Sequence, residues 1–373
     1  MSKSYTPGLK ILDKISIEKE RILPLIGEVH VKQDDAVDSD TVVASTKIPG
    51  NVQMVNVANE LNIDPDQVHD CMLCNIDEKV YKNQVIAKSK GLLGLFKSEV
   101  RSPLEGSISN ISEITGQVIV LEEPQPIEID AYIPGIISKV IDKEGVVVSS
   151  NGTLIQGIIG IGGEKKGIIK VLDSDCEITE SNIIESYKDH ILVFQSYLSY
   201  EVYQKASSQG VKGIVCGGID YTTLTRILGY PLGVAITGTE EVTTIIVTDG
   251  FGNISMAPRT FELLAKHNND FASINGATQI RAGVMRPEIF IGSNKISDFC
   301  SQFDEENLVI SRGSQVRIIR EPFFGEIGIV SSLPSELVRI NTETMARIAE
   351  ITLENGTKEI IPRSNLEVIL SDE

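Results

Sequence analysis

The feature that most constrains this 373-residue chain is an internal repeat in its first third. Val29 to Ala44, VHVKQDDAVDSDTVVA, aligns with Met72 to Ala87, MLCNIDEKVYKNQVIA, at a constant offset of 43 residues. Asp34-Asp35 falls on Asp77-Glu78, Val37 on Val80, Val43 on Ile86 and Ala44 on Ala87. Each copy reads as a short strand, an acidic turn and a second strand with alternating apolar residues. Each is a half-unit. A second element recurs as Pro49-Gly50-Asn51-Val52, Pro103-Leu104-Glu105-Gly106 and Pro134-Gly135-Ile136-Ile137. There Pro fixes φ and Gly relieves the turn before a strand.

These residues resemble the barrel-sandwich hybrid, the fold of biotinyl and lipoyl carrier domains that also occurs in the C subunit of the Rnf electron-transport complex. The resemblance spans about residues 22–150. A carrier needs a modified lysine at an exposed hairpin tip. No Met-Lys-Met triplet exists, and Asp142-Lys143 lies in IDKEG, which reads as an ordinary charged turn. Between the copies, Asp64-Pro65 opens a short helix. His69, Cys71 and Cys74 follow closely, but zinc needs four ligands, and Cys74 aligns with Val31 of the first copy. A structural thiol pair is the preferred reading, with a metal or redox site as the alternative.

Length asks for two or three cores, since domains run to about 100–150 residues. Hydrophobic residues make up 41% and charged residues 23%, so the chain should fold rather than stay disordered. With 52 acidic residues against 34 basic, the net charge of -18 opposes nonspecific nucleic-acid binding. The first twenty residues carry charges throughout and lack a signal-peptide core, and no apolar run is long enough to span a membrane. Five sparse cysteines suit a reducing compartment. The expected location is the cytoplasm.

After Ile155 the run GIIGIGGEKKGIIKVL places Gly160, Gly162, Gly163 and Glu164 together. Such glycines let backbone N–H groups approach a phosphate or cofactor, or they build a glycine-rich hairpin or bulge. The run is similar to the flavin-site segment of the Rnf C subunit, but Glu164-Lys165-Lys166 replaces the continuation that would hold a flavin, and that subunit's cluster cysteines are missing. From Ile191 strands and helices alternate: ILVF, a helix from Ser199 to Gln209, GIVCGG, and a helix from Tyr221 to Leu228. Strands Gly233 to Thr237 and Thr244 to Gly252 follow, then a helix from Pro258 to His267. This order predicts a central parallel α/β sheet. Ligands bind such sheets at strand carboxyl ends. Those ends carry Gly217, Gly218 and Asp220; Thr237, Gly238 and Glu240; and Asp249 and Gly250. They form the candidate cofactor site, although turns and caps alone favour the same residues. No Walker motif, GxGxxG or catalytic triad is recognisable among them. Arg281 and Arg286 could clamp an anion or pair with local acids.

The last sixty residues carry the sharpest local pattern. RGSQVRIIREPFFGEIGIVSSL, followed by strands around Glu354-Asn355-Gly356-Thr357, resembles the KOW motif of SH3-like barrels in the NusG class and several ribosomal proteins. The chain as a whole resembles KOW-domain proteins. The resemblance implies a nucleoprotein partner, contacted through Arg317, Arg320, Phe323, Phe324 and Arg363. Seven basic against eight acidic residues between 312 and 370 instead favour protein docking or internal packing.

The expected fold is therefore multidomain α/β plus all-β. It has an extension over 1–21, a barrel-sandwich hybrid over 22–150, a central α/β domain over 151–295 and an SH3-like KOW barrel over 311–373. The expected function is a non-catalytic interaction or scaffold protein with no cofactor or metal, binding a macromolecular partner through its β modules, with self-association as an option. The alternatives are a cofactor- or nucleotide-binding subunit or enzyme that uses the glycine-rich run and the strand ends, and a binder of RNA, ribosome or RNA polymerase through the KOW module.

Overall fold

The computed structural model describes residues 9–89, 98–172, 178–231, 235–236, 238–279, 285–293, 301–302, 310–318, 320, 322–323, 326–340, 343–353 and 356–368. The chain is strand-rich, with one large mixed sheet and several small ones. No described helix is long and apolar enough to cross a membrane.

The repeat is reproduced bond for bond. Asp34 and Asp77 both adopt a left-handed backbone, at φ 71° and 65°. Asp35 N–H donates to Lys32 O, and Glu78 N–H to Asn75 O, each at 3.2 Å. The acidic side chains then cap the same turns, accepting from Lys32 N and Asn75 N at 2.8 Å. Val37, Val43 and Ala44 are buried, as are Val80, Ile86 and Ala87. Each fully buried Val or Ile contributes about 1.5–3 kcal/mol, which anchors the register. The three recurring glycines share one cause. A Cβ on Gly50, Gly106 or Gly135 would collide with the backbone carbonyl of Glu122, Leu121 or Ser149 on the facing strand.

The copies then part company. The second packs in a core of its own with Val55, Val118 and Val120, beneath a four-stranded antiparallel sheet ordered Val52–Asn56, Gln117–Leu121, Gly106–Ile111, Lys79–Val80. The first joins Leu12, Ile15, Val146, Val148 and Phe290, and so packs on the large sheet. Residues Ile11–Ile22 form a twelve-residue strand of that sheet rather than a simple extension. Its partner Gly145–Gln156 runs straight through the boundary expected at residue 150.

The central sheet is mixed, not purely parallel. Glu164–Val171, His190–Val193, Gly213–Ile219 and Thr244–Phe251 lie parallel in that order. Phe271–Asn275 and Glu288–Gly292 continue the sheet antiparallel. The segment Gly145–Ile161 closes it, because its middle, residues 152–156, pairs with Glu288–Gly292 and its end, Ile159–Ile161, pairs with Thr244–Phe251. The strands therefore form a ring. Its interior holds Ile155, Ile169, Ile191, Val215, Ile246 and Ile289, contributed by different strands. Alternate residues, such as Leu192, Ile214 and Val247, face outward under two helices. The first, Tyr200–Ser208, is capped by the Ser199 hydroxyl, which accepts from Val202 N, and buries Val202, Tyr203 and Ala206. The second, Tyr221–Leu228, stops at Gly229 in a left-handed conformation, φ 77°. A third helix, Pro258–Lys266, connects Thr244–Phe251 back to Phe271–Asn275 and sends Leu264 into the interior cluster. The carboxy-terminal strands form a separate antiparallel sheet over Val316, Val330, Ala349, Ile351 and Leu366.

Candidate functional site

The ring divides the expected cofactor residues between its two ends. Gly160, Gly162, Gly163, Glu164 and Glu240 lie at the amino ends of the parallel strands. Gly217, Gly218, Asp220, Asp249 and Gly250 lie at the carboxyl ends. The corner around Glu240 leaves the edge on which it was expected, because Ala235–Ile236 is not a member of the ring and pairs with Thr278–Gln279. Thr237 lies outside the described residues.

At the amino ends, chain meets chain. Gly160 donates to Thr278 Oγ1 at 2.9 Å, and a Cβ on it would press on Gly276 and Pro287. A Cβ on Gly163 would collide with Gly238 O. Thr244 donates to Gly163 O at 2.8 Å, and Glu240 accepts from Gly238 N at 3.0 Å. The glycine run thus permits ring closure, where backbone segments pass too closely for side chains. Glu164 binds Arg21 through two hydrogen bonds of 2.6 and 2.8 Å, and Arg21 also lies 5.3 Å from the ring of buried Tyr132. Glu164 therefore ties the first strand to the ring.

The carboxyl ends are filled as well. Cβ atoms on Gly217 and Gly218 would collide with Met256 N and Gly252 O of the segment that follows the Thr244–Phe251 strand. Met256 N–H donates to Gln195 O at 2.7 Å, closing that segment over the strand ends. Asp249, 6% exposed, accepts from Thr248 Oγ1 at 2.7 Å and Ala257 N at 3.1 Å. Its other oxygen meets Arg317 of the carboxy-terminal sheet at 3.3 Å, in an ion pair whose side chains are both almost fully buried. Two residues expected to serve different ligands bind each other. Asp220 stays exposed and accepts from the Tyr197 hydroxyl at 2.8 Å. Burial first, then Asp220, raise that phenol above its ordinary range, against a lowering contribution from Thr223. Gly250 has open space around its Cα, with φ 132°.

The arginines expected to form a contact face on the carboxy-terminal sheet do not share one environment among the described residues. Arg317 is buried, and Arg363 donates to Ile348 O at 3.0 Å and Pro334 O at 2.7 Å, bracing its own sheet. Burial, then nearby Arg347, lowers the Arg363 guanidinium. Phe323 packs on the local core. Arg320 is exposed, and Phe324 lies outside the described residues, as does Arg281. Cys71 and Cys74 are buried free thiols in the second repeat core. Burial raises the Cys74 thiol, with Glu78 adding to the effect. Among the described residues no group of His, Cys, Asp and Glu is placed to hold a metal ion.

The structure also contains a cleft of about 770 Å³ that sequence reasoning missed. It lies between the turn at residues 38–40 of the first repeat, the ring and the end of the third helix, and is lined in part by Asp13, Asp38, Asp40, Thr153, His267 and Asp270. The pairing of Ile11–Ile22 with Gly145–Gln156 slips there. Leu12 faces Leu154 and Ile15 faces Gly152, so Asp13 and Lys14 together oppose Thr153. This is a bulge, with Lys14 at φ 54°, and it turns two charged residues out of the strand rhythm. Thr153 donates to Asp13 at 2.7 Å and lies 3.2 Å from His267 Nε2, while His267 Nδ1 lies 2.8 Å from Asp270. Lys266 donates to the second oxygen of Asp13 at 2.8 Å. Burial pushes the Asp13 carboxyl up, but hydrogen bonds from Lys266 and Thr153 outweigh it, so the carboxyl lies below its ordinary range. The Asp270, His267, Thr153 line is not a nucleophile triad. Thr153 is 2% exposed, and its single proton is already directed at Asp13. No sequence motif marks these residues, because the bulge and the juxtaposition both arise from long-range pairing.

No protein-family model and no curated protein sequence matches the chain.

Proposed function

We propose that this chain is a non-catalytic interaction protein that binds a protein partner through the second repeat module. The module is read as part of a barrel-sandwich hybrid, and the SH3-like KOW barrel serves as an internal packing element. One observation carries the reading. On the outer face of the four-stranded sheet, Val52 stands opposite Leu121 and Met54 opposite Ile119 in direct cross-strand register. Val52 is 58% and Met54 67% exposed, on a strand that has a neighbour on one side only among the described residues. An exposed apolar face that ends in a strand edge without a described neighbour suits a partner that adds a strand or an apolar surface. The Arg317–Asp249 pair supports the packing role of the carboxy-terminal sheet, since it turns one of that sheet's basic residues inward.

The test is cross-linking and mass spectrometry on protein from its own cells, with Met54→Asp beside the natural chain. Partner cross-links should fall on residues 52–56 and 117–121, and the variant should lose the complex in native mass spectrometry while melting normally. A partner held through Arg339, Arg347 and neighbouring residues, or an assembly indifferent to Met54→Asp, would remove the reading. Recovery of bound RNA in place of protein would support the nucleic-acid alternative.

A further inference from the structure

The two repeat halves build strands in the same spatial order and differ at one edge. In the first half Ala36–Val37, Gly135–Ile141, Gly145–Gln156 and Ile11–Ile22 pair in that sequence. In the second half Lys79–Val80, Gly106–Ile111, Gln117–Leu121 and Val52–Asn56 do the same. Val37 faces Gly135 as Val80 faces Gly106, so the registers correspond. Carried across through Ser149 and Leu121, the correspondence places Glu18 on Val52 and Glu20 on Met54. The outer edge of the first set carries one more strand of the chain, Ser301–Gln302, parallel to Ile15–Ser16 just before Glu18. The outer edge of the second set carries none among the described residues.

The side chains change with the edge. Glu18 and Glu20 are exposed charges, whereas their counterparts Val52 and Met54 are exposed apolar residues. Residues 51–56 and Gln117–Leu121 hold no charge, in a chain that is 23% charged. Sheet edges are commonly guarded by charge, proline or a bulge, and Val52–Asn56 has none of these, its register with Gln117–Leu121 being unbroken. Glu122 N–H donates to Asn51 O at 2.9 Å, which fixes the alternation of the ladder. Residues 51, 53 and 55 therefore bond inward, while Val52 and Met54 direct their N–H and C=O groups to the open edge.

We infer that this edge binds an extended segment of a partner protein, which adds as a fifth strand and lays alternate apolar side chains beside Val52 and Met54. The inference rests on the reading that the second repeat module holds a protein partner, and narrows that partner to an uncharged, alternately apolar strand. Main-chain bonds to Val52 and Met54 supply affinity, and the apolar row of Met54 with Ile119 and Val52 with Leu121 supplies specificity. A second copy of this chain fits less well. Edge-to-edge pairing about a twofold axis is antiparallel, unlike the parallel pairing of Ser301–Gln302, and it brings together two chains of net charge -18.

The test uses the full chain and a random dodecapeptide library displayed on phage. Peptides selected on the natural protein are titrated by fluorescence anisotropy against it, against Met54→Asp and against Val52→Pro. Val52→Pro keeps an apolar side chain and removes an N–H that points outward, a change that edge strands tolerate. The expected result is peptides apolar at every second position, weakened tenfold or more by each variant. Hydrogen exchange resolved to single residues should show the Val52 and Met54 amides slowing when peptide binds, which decides the question even if Val52→Pro fails to fold. Peptides that lose Met54→Asp but bind Val52→Pro as before, with those amides unprotected, would overturn strand addition and leave the module as a docking surface. Peptides indifferent to both variants would overturn that reading too. Apolar residues spaced by three and four, no enriched peptide, or a dimer of the natural chain that Val52→Pro dissociates in sedimentation would each remove the inference.

Discussion

The carboxyl end of the ring and the cleft beside it share the helix Pro258–Lys266, yet the one buries the paired carboxylate of Asp249 and the other leaves its paired carboxylates in contact with water. At the ring end, the chain supplies the occupant. Residues 252–257 lie over Gly217 and Gly218, and Arg317 neutralises Asp249 out of contact with water. At the cleft, the charges also find partners, but Lys266, Asp270 and Asp40 remain in contact with solvent. The contrast shows that a glycine- and aspartate-rich strand end is a site only if the chain leaves it vacant. Ligands favour such ends in open sheets because strands splay there. Here the ring is closed, and one connection returns across its end.

The largest effect should come from breaking the closed end. Arg317→Met leaves Asp249 buried and unpaired, and should lower unfolding free energy by about 3–5 kcal/mol, or release the carboxy-terminal sheet to limited proteolysis. Pairing it with Asp249→Asn should restore much of the loss. A single variant within about 1 kcal/mol of the natural protein would show that the two sheets are not joined through this pair. Next, Gly217→Ala should cost about 1–3 kcal/mol in urea unfolding, because the methyl group meets the backbone of Met256 rather than a yielding side chain. If it proves neutral, residues 252–257 do not close that end.

Smaller effects should follow in the cleft. Thr153→Val removes the hydroxyl that bonds Asp13 and faces His267, and should cost about 1 kcal/mol in urea unfolding, since Asp13 keeps Lys266. Asp13→Asn probes acid sensitivity. The folded carboxyl lies below its ordinary value, so its contribution is present above about pH 4 and is lost as the pH falls through the lowered folded value. The natural protein and Asp13→Asn should therefore differ at pH 7, by less than about 1 kcal/mol because the pair is partly solvated, and converge as the pH falls below the lowered folded value. A difference that stays constant throughout the acid titration would place its origin in packing.

Much of the fold was legible from local pattern. The repeat positions that aligned in sequence share dihedral angles and hydrogen bonds in the structure, because acidic turns and buried β-branched residues act over a few residues. Helices at Tyr200–Ser208, Tyr221–Leu228 and Pro258–Lys266 fall where their caps and apolar spacing place them. The Asp13–Lys14 bulge was not legible, since ILDKISIEKERI reads as an unremarkable alternating run and the slip exists only against Gly145–Gln156. Nor was the relation between Arg317 and Asp249, which are separated by 68 residues.

By itself the sequence determined the elements: two half-units with identical turns, the helices of the α/β region, and glycines wherever backbone must approach backbone. Tertiary structure decided their use. Whether Gly160 cradles a ligand or lets a strand pass, and whether Asp249 meets a substrate or Arg317, depends on which distant segment arrives first at that surface. Local propensity carries no information on that, because a closed ring and an open sheet share the same strands and differ only in the pairing of Ile159–Ile161.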